Sequence, residues 1–213
     1  MPVLIKNCGL RTPEDMSQAA TTGARYIGFV HYPKSPRHLT LEEGQALRPH
    51  VPEGVRLAAV LVNPDDTTLA EIVNAWQPDL LQLHGITDPT QLEAIRKTYG
   101  LPLILGWPVA TAADIRKTDA YRGIADYLLL DTAKAGEHGG TGEAFDWTLL
   151  RQEKPALPFF LAGGLTPENV AEAVRITGAN GVDVSSGIES KPGIKSPEKI
   201  AAFNRAVLHG ADD

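Results

Sequence analysis

The chain has 213 residues, 43% hydrophobic and 22% charged, with a formal net charge of −6. That length can bury a sizeable core as one domain, so a single unit over residues 1–213 is expected. The acidic balance leaves no electrostatic footprint for nucleic acid or an anionic membrane, and one cysteine excludes an internal disulfide.

The N-terminal "MPVLIKNCG" has no basic region ahead of a signal core, and its apolar run is strand-sized. No stretch approaches the ~18 apolar residues of a membrane span. A cytoplasmic protein with no nucleic-acid or membrane partner is expected.

Along the chain, strand-length apolar runs alternate with segments that carry helix start signals. The first strand is expected over 3–9, "VLIKNCG", followed by a helix with Thr12 as N-cap, Pro13 at its first position and Gly23 as its stop. "YIGFV" (26–30) precedes the helical "TLEEGQALRP", and "RLAAVLV" (56–62) precedes "TTLAEIVNAWQ". "LLQLHG" (80–85) leads into "DPTQLEAIRKTYG" (88–100), capped by Asp88. "LPLILGW" (101–107) is followed by "TAADIRKTDAY", and "DYLLLDT" (126–132) by a short "FDWTLLRQE". "LPFFLAGG" (157–164) leads into "TPENVAEAVRITG" (166–178), and "GVDVSS" (181–186) into "SPEKIAAFNRAVL" (196–208).

Eight strands and eight helices in strict alternation, with near-continuously apolar strands, imply a parallel sheet buried on both faces. The count favours a closed (β/α)8 TIM barrel, class α/β, over an open doubly wound sheet. No G-x-G-x-x-G follows the first strand, which also argues against the open sheet.

In a barrel the chemistry belongs at the C-terminal ends of the strands. Polar residues there are Cys8, Arg37, His84, Asp131 and Asp183. Period-two alternation puts Lys6 on the same face as Cys8, Gln82 with His84 and Leu129 with Asp131, while Asn7 points toward the helices. Two small-residue turns, "LAGGLTPENV" and "DVSSGIES", follow strands 7 and 8. Gly163, Gly164, Ser185, Ser186 and Gly187 let backbone N–H groups approach an anion, and the helix after Thr166 would aim its positive end at them. A phosphorylated small molecule is the ligand this pattern calls for.

Each residue also has a plainer account. Cys8 could be a buried hydrophobe, Asp131 a turn cap, His84 a structural histidine and Arg37 a solvated charge. Lys6 could simply pair with Asp183. The six histidines show no H-E-x-x-H and no Cys–His spacing, so no metal is expected. A G-x-S-x-G elbow and a nucleotide fingerprint are also missing. Cofactor-free acid–base chemistry on a sugar phosphate is what this leaves.

Taken in order, "KNCGL", "GFVHYPKSPR", "VLVN", "LLQLHG", "LLLDT", "GGTGEAFDW", "LAGGLTPENV", "GVDVSSGIE" and "GIKSPEKI" resemble the phosphoribosylanthranilate isomerases of tryptophan biosynthesis over nearly the whole chain. The resemblance implies an Amadori rearrangement, an aldose–ketose isomerisation with no cofactor. N-(5-phosphoribosyl)anthranilate would become 1-(2-carboxyphenylamino)-1-deoxyribulose 5-phosphate. It implies Asp131 as general acid on the ring oxygen and Cys8 as general base at C2′. Arg37 would lie near the anthranilate carboxylate, with Lys6, His84 and Asp183 as further substrate-binding candidates. Phosphate would be held by the turns above together with Gly140, Thr141 and Gly142. The family's members occur as monomers or homodimers, among other arrangements.

Asn7 and Ser196 depart from the family pattern, at positions away from the expected chemistry. Rival readings are a ribonucleotide isomerase of histidine biosynthesis, an indole-glycerol-phosphate synthase, a dual-specific enzyme, and a non-catalytic ligand-binding barrel. The first is expected to use two aspartates, against which the cysteine after strand 1 speaks.

Overall fold

Eight parallel strands close on themselves in the computed structural model, which describes residues 2–132 and 146–210. Their order in the barrel is their order in the chain: β1 (Leu4–Cys8), β2 (Tyr26–His31), β3 (Arg56–Val62), β4 (Leu80–His84), β5 (Leu103–Val109), β6 (Tyr127–Thr132), β7 (Phe159–Leu161) and β8 (Gly181–Val184). The connecting helices are α1 (Pro13–Thr21), α2 (Leu41–Leu47), α3 (Asp66–Trp76), α4 (Pro89–Tyr99), α5 (Ala112–Lys117), α6 (Leu149–Gln152), α7 (Val170–Thr177) and α8 (Pro197–His209). The fold is therefore a (β/α)8 barrel, as the alternation implies. No helix among the described residues is long and apolar enough to cross a membrane.

Local chemistry sets most boundaries. The side chains of Thr12, Thr40, Asp65, Asp88 and Ser196 accept hydrogen bonds from first-turn N–H groups of α1, α2, α3, α4 and α8. Two expectations need correction. Strand β7 is only Phe159–Leu161, because Gly163 (φ +83°) and Gly164 (φ +65°) turn the chain away. Helix α7 starts at Val170 and not after Thr166: the Thr166 Oγ1 accepts from the Glu168 N–H, and the Asn169 side chain closes back onto the Thr166 N–H. Those bonds make a separate turn ahead of the helix.

One element lies outside the expected alternation. Between β8 and α8 an antiparallel hairpin forms, β9 (Glu189–Lys191) and β10 (Ile194–Lys195), turning at Pro192 and Gly193 (φ +79°).

Side chains pointing outward from the strands, such as Ile5, Phe29, Leu61, Leu83, Leu105 and Leu130, pack against the helices as the main core. The inward set is layered by depth. Tyr26, Ala58, Leu80, Ile104, Leu129 and Phe160 form an apolar plug toward the lower, N-terminal end of the barrel. Above it the inward column becomes polar: Lys6, Gln82 and Asp183 are all buried within the barrel.

The polar outward residue Asn7 has a partner in α8. The Asn7 and Asn204 amides donate to each other's carbonyl oxygens, both at 3.1 Å, and Asn204 also donates to the Thr22 hydroxyl at 2.8 Å. This satisfied pair joins the first strand to the last helix.

The lower rim carries a recurring latch. Asp79, Asp126 and Asn180, each just before an even-numbered strand, donate a backbone N–H to the carbonyls of Leu57, Leu103 and Phe159. The side-chain oxygen of each accepts the N–H of that same residue, at 2.7, 2.8 and 3.0 Å. Three strand starts that would otherwise lack ladder partners are thereby closed.

Candidate active site

Lys6 and Asp183 are register partners on the neighbouring strands β1 and β8 and share a 2.8 Å ion pair, with Lys6 fully buried. Two residues further up β1, Cys8 points the same way and is buried. Gly28, beside it on β2, leaves the space they need: a methyl group there would come within 2.8 Å of the Cys8 sulfur and 3.1 Å of the Lys6 ammonium. Burial alone would pull the Lys6 ammonium down, but Asp183 and Cys8 outweigh it and hold it above its ordinary range. Burial also pushes the Cys8 thiol up, against the opposing pull of Lys6 and, further off, Lys195.

Asp131 ends β6 on the upper rim. Burial raises its carboxyl to about 6, opposed by the Thr132 N–H that it accepts at 2.7 Å and reinforced by the negative charge of Asp183. It borders a cleft of about 50 Å³ that runs past Gly163 and Gly164 to Asp183, Ser185 and Ser186. A wider cleft of about 340 Å³ continues over Gly164, Thr166, Ser186 and Gly187. The Ser185 hydroxyl donates to the Cys8 carbonyl at 3.1 Å, tying the end of β1 to this wall. The small-residue turns after β7 and β8 thus meet the carboxyl of Asp131 in one groove, whose Ser185 wall is bonded to the Cys8 carbonyl.

His84 and Gln82 share the inward face of β4 with their ring and amide nitrogens 2.9 Å apart. Gly106 on β5 leaves the room that the His84 ring fills. Among the described residues the Gln82 carbonyl oxygen is buried without a partner. Arg37, in the loop after β2, is gripped by Glu189 through Nε at 2.7 Å and Nη2 at 2.8 Å. Lys195 reaches the same carboxylate at 2.8 Å.

Of the residues expected from sequence, Lys6, Cys8, Asp131, Gly163, Gly164, Asp183, Ser185 and Ser186 come together at the upper rim. Gly187 lines the adjoining wider cleft, while His84 packs at Gly106 and Gln82 and Arg37 is held on Glu189, neither of them lining either cleft. Gly140, Thr141 and Gly142 lie outside the described residues. Sequence reasoning missed Glu189 and Lys195, whose hairpin was signalled only by the Pro192-Gly193 pair, and it used Gln82 only as a marker of face.

Residues 5–206 match the family profile described as N-(5'phosphoribosyl)anthranilate (PRA) isomerase. The chain belongs to this family. It is an isomerase of tryptophan biosynthesis. The N-(5'-phosphoribosyl)anthranilate isomerase of Azorhizobium caulinodans is 47% identical over 210 residues, covering 97% of this chain and 92% of the relative. The crystal structure of the Thermotoga maritima enzyme superposes with a TM-score of 0.85 at 32% identity, covering 96% of this chain and 98% of that one. Another family structure, in complex with reduced 1-(o-carboxyphenylamino)-1-deoxyribulose 5-phosphate, gives a TM-score of 0.83 at 30% identity with the same coverage.

Proposed function

We propose that the upper-rim groove carries out the Amadori rearrangement of N-(5′-phosphoribosyl)anthranilate, with Asp131 as general acid and Cys8 as general base. The observation that carries this reading is a carboxyl with a pKa of about 6, at the edge of a groove walled by two small-residue turns. A free aspartate near 3.9 would be almost fully ionised at neutral pH, whereas this one retains a usable protonated fraction. An anionic phosphate seated in the neighbouring turns raises that fraction further by like charge.

Asp131 gives its proton to the ring oxygen. The C1′–O bond breaks as the nitrogen lone pair forms the C1′=N iminium. The Cys8 thiolate then removes the C2′ proton, and the released electron pair closes C1′=C2′ and neutralises the nitrogen. The resulting enolamine tautomerises to the ketone, so no redox partner is required. Cys8 rests as a thiol, and two positive charges favour its thiolate: the Lys6 ammonium below it and the substrate iminium once formed. Lys6 and Asp183 therefore act through Cys8 and Asp131, with charge as their contribution.

Gly163, Gly164, Ser185, Ser186 and Gly187 are assigned to the phosphate, and Gly140, Thr141 and Gly142 would complete its cradle. Arg37 is assigned to the anthranilate carboxylate, and its guanidinium fork suits that group. His84 is assigned to the substrate's side of β4. We further place the protein in the cytoplasm as a single-domain monomer or homodimer.

The test is kcat against pH for the wild type, Cys8→Ser and Asp131→Asn, alongside rescue of a tryptophan auxotroph that lacks this isomerase. Because the acid must be protonated to act, wild-type turnover is expected to fall as pH rises through about 6. Each variant should lose about 10²–10⁴-fold in turnover. Near-wild-type turnover in either variant removes that residue from its role. A soluble wild-type chain that fails to rescue points instead to a ligand-binding barrel.

A further inference from the structure

The hairpin formed by β9 and β10 holds two charged side chains that the mechanism does not use. Glu189 is buried to within 5% at its side chain and Lys195 to within 1%, while Arg37 retains 13% exposure. The Glu189 carboxylate accepts from Arg37 Nε and Nη2 and from the Lys195 ammonium. Lys195 also donates to the Ser185 carbonyl at 3.0 Å and hydroxyl at 3.3 Å, so its three donors are spent. Lys199, from α8, donates to the Glu189 backbone carbonyl at 2.8 Å and fixes the hairpin from outside.

Two features of this cluster matter. Arg37 presents one edge of its fork, Nε and Nη2, to Glu189, and among the described residues its Nη1 has no hydrogen bond. The cluster also holds two cations and one carboxylate, so it is one negative charge short. A buried cluster of net positive charge favours an anion beside it. The outward edge of the guanidinium is where that anion would bind, and a carboxylate matches its geometry.

We infer that Glu189 is a positioning residue: it clamps the inner edge of Arg37 so that the outer edge is preorganised for the substrate's carboxylate. Lys195 ties this clamp to Ser185, so the carboxylate end and the Ser185 end of the groove are held by one hairpin. A flexible arginine would otherwise lose rotamer freedom each time substrate bound. The inference rests on the proposed role of Arg37, and the experiment separates the two.

Steady-state kinetics are measured for Arg37→Ala, Glu189→Gln, Glu189→Asp and the double variant Arg37→Ala/Glu189→Gln. Glu189→Gln should raise KM about tenfold with kcat within about threefold of wild type, because ground-state and transition-state binding weaken together. In the Arg37→Ala background the same change should move KM less than about twofold, since the clamped group is gone. Glu189→Asp, which keeps the charge, should recover part of the loss. It also carries the comparison if Glu189→Gln does not fold. An equal KM effect in both backgrounds, or a loss confined to kcat, overturns the inference. An unchanged KM in Arg37→Ala alone overturns the reading of Arg37 itself.

Discussion

Asp126 and Asp131 flank the same strand, β6, and their environments treat them in opposite ways. Asp126, at the lower end, accepts from the Leu103 N–H at 2.8 Å and from the Arg96 guanidinium at 2.7 Å, so its carboxylate is held by a backbone donor and a cation. Asp131, at the upper end, has one backbone N–H and no cation as a hydrogen-bond partner among the described residues, and burial raises it to about 6. The same contrast separates the rims. Below, Asp79, Asp126 and Asn180 close strand starts with backbone and side-chain hydrogen bonds; above, Asp131 has a single backbone donor and the Gln82 carbonyl oxygen has no partner among the described residues. The lower rim thus contributes stability, while the upper rim gives up some stability to keep protons and charges available.

The sharpest way to break this contrast is at Asp131. Its folded pKa of about 6 lies above the unfolded value near 3.9, so the folded state binds the proton more tightly. Stability from this group is full below pH 4 and is lost as pH rises through 6, on the order of 3 kcal/mol across that window. Asp131→Asn removes the buried charge, so it should cost about 10²–10⁴-fold in turnover while raising the melting temperature at pH 8. A melting temperature lower than wild type at pH 8 would mean that the ionised carboxylate is well accommodated, and the contrast would fail.

A smaller effect is expected below. Asp126→Ala leaves the Leu103 N–H and the Arg96 fork without their carboxylate, while the upper rim is untouched. A loss of about 2 kcal/mol in urea unfolding, with kcat and KM unchanged, is expected. Loss of turnover in the folded variant would show that the rims are coupled through β6.

How far these features could be read from the sequence follows the range of the interactions. The barrel was readable because its signals are local: apolar runs of strand length and capping residues such as Thr12 and Asp88. Lys6, Cys8 and Asp131 were also within reach, since alternation and strand ends place inward polar residues at the mouth. Glu189 and Lys195 were not, because their meaning depends on contacts with Arg37 and Ser185 across the barrel mouth, to which periodicity is blind. Asn7 was read as facing the helices, yet its partner Asn204 lies at the far end of the chain. No local pattern joins the two. The start of α7 was misplaced for a different reason: Thr166-Pro167 has the composition of a helix start, and the Asn169 side chain diverts it into a turn.

The smallest expected effect concerns the loop that carries Arg37. There the Tyr32 N–H donates to His38 Nδ1 at 3.0 Å, and the rings of His31 and His38 lie 5.0 Å apart. Burial, together with His31, lowers the His38 pKa, while Glu43 opposes and Arg11 assists. Because Nδ1 must be unprotonated to accept, the bond is present above the unfolded value of 6.5 and is lost as pH falls through the lowered folded value. The loop then loosens beneath Arg37, and KM should rise by about twofold in acid while the kcat limb near 6 stays with Asp131. His38→Asn separates the two, since the asparagine Oδ1 can accept the same N–H at every pH. Its KM should stay flat where the wild type's rises. An acid rise in KM that survives in His38→Asn would locate the titrating group elsewhere in the groove.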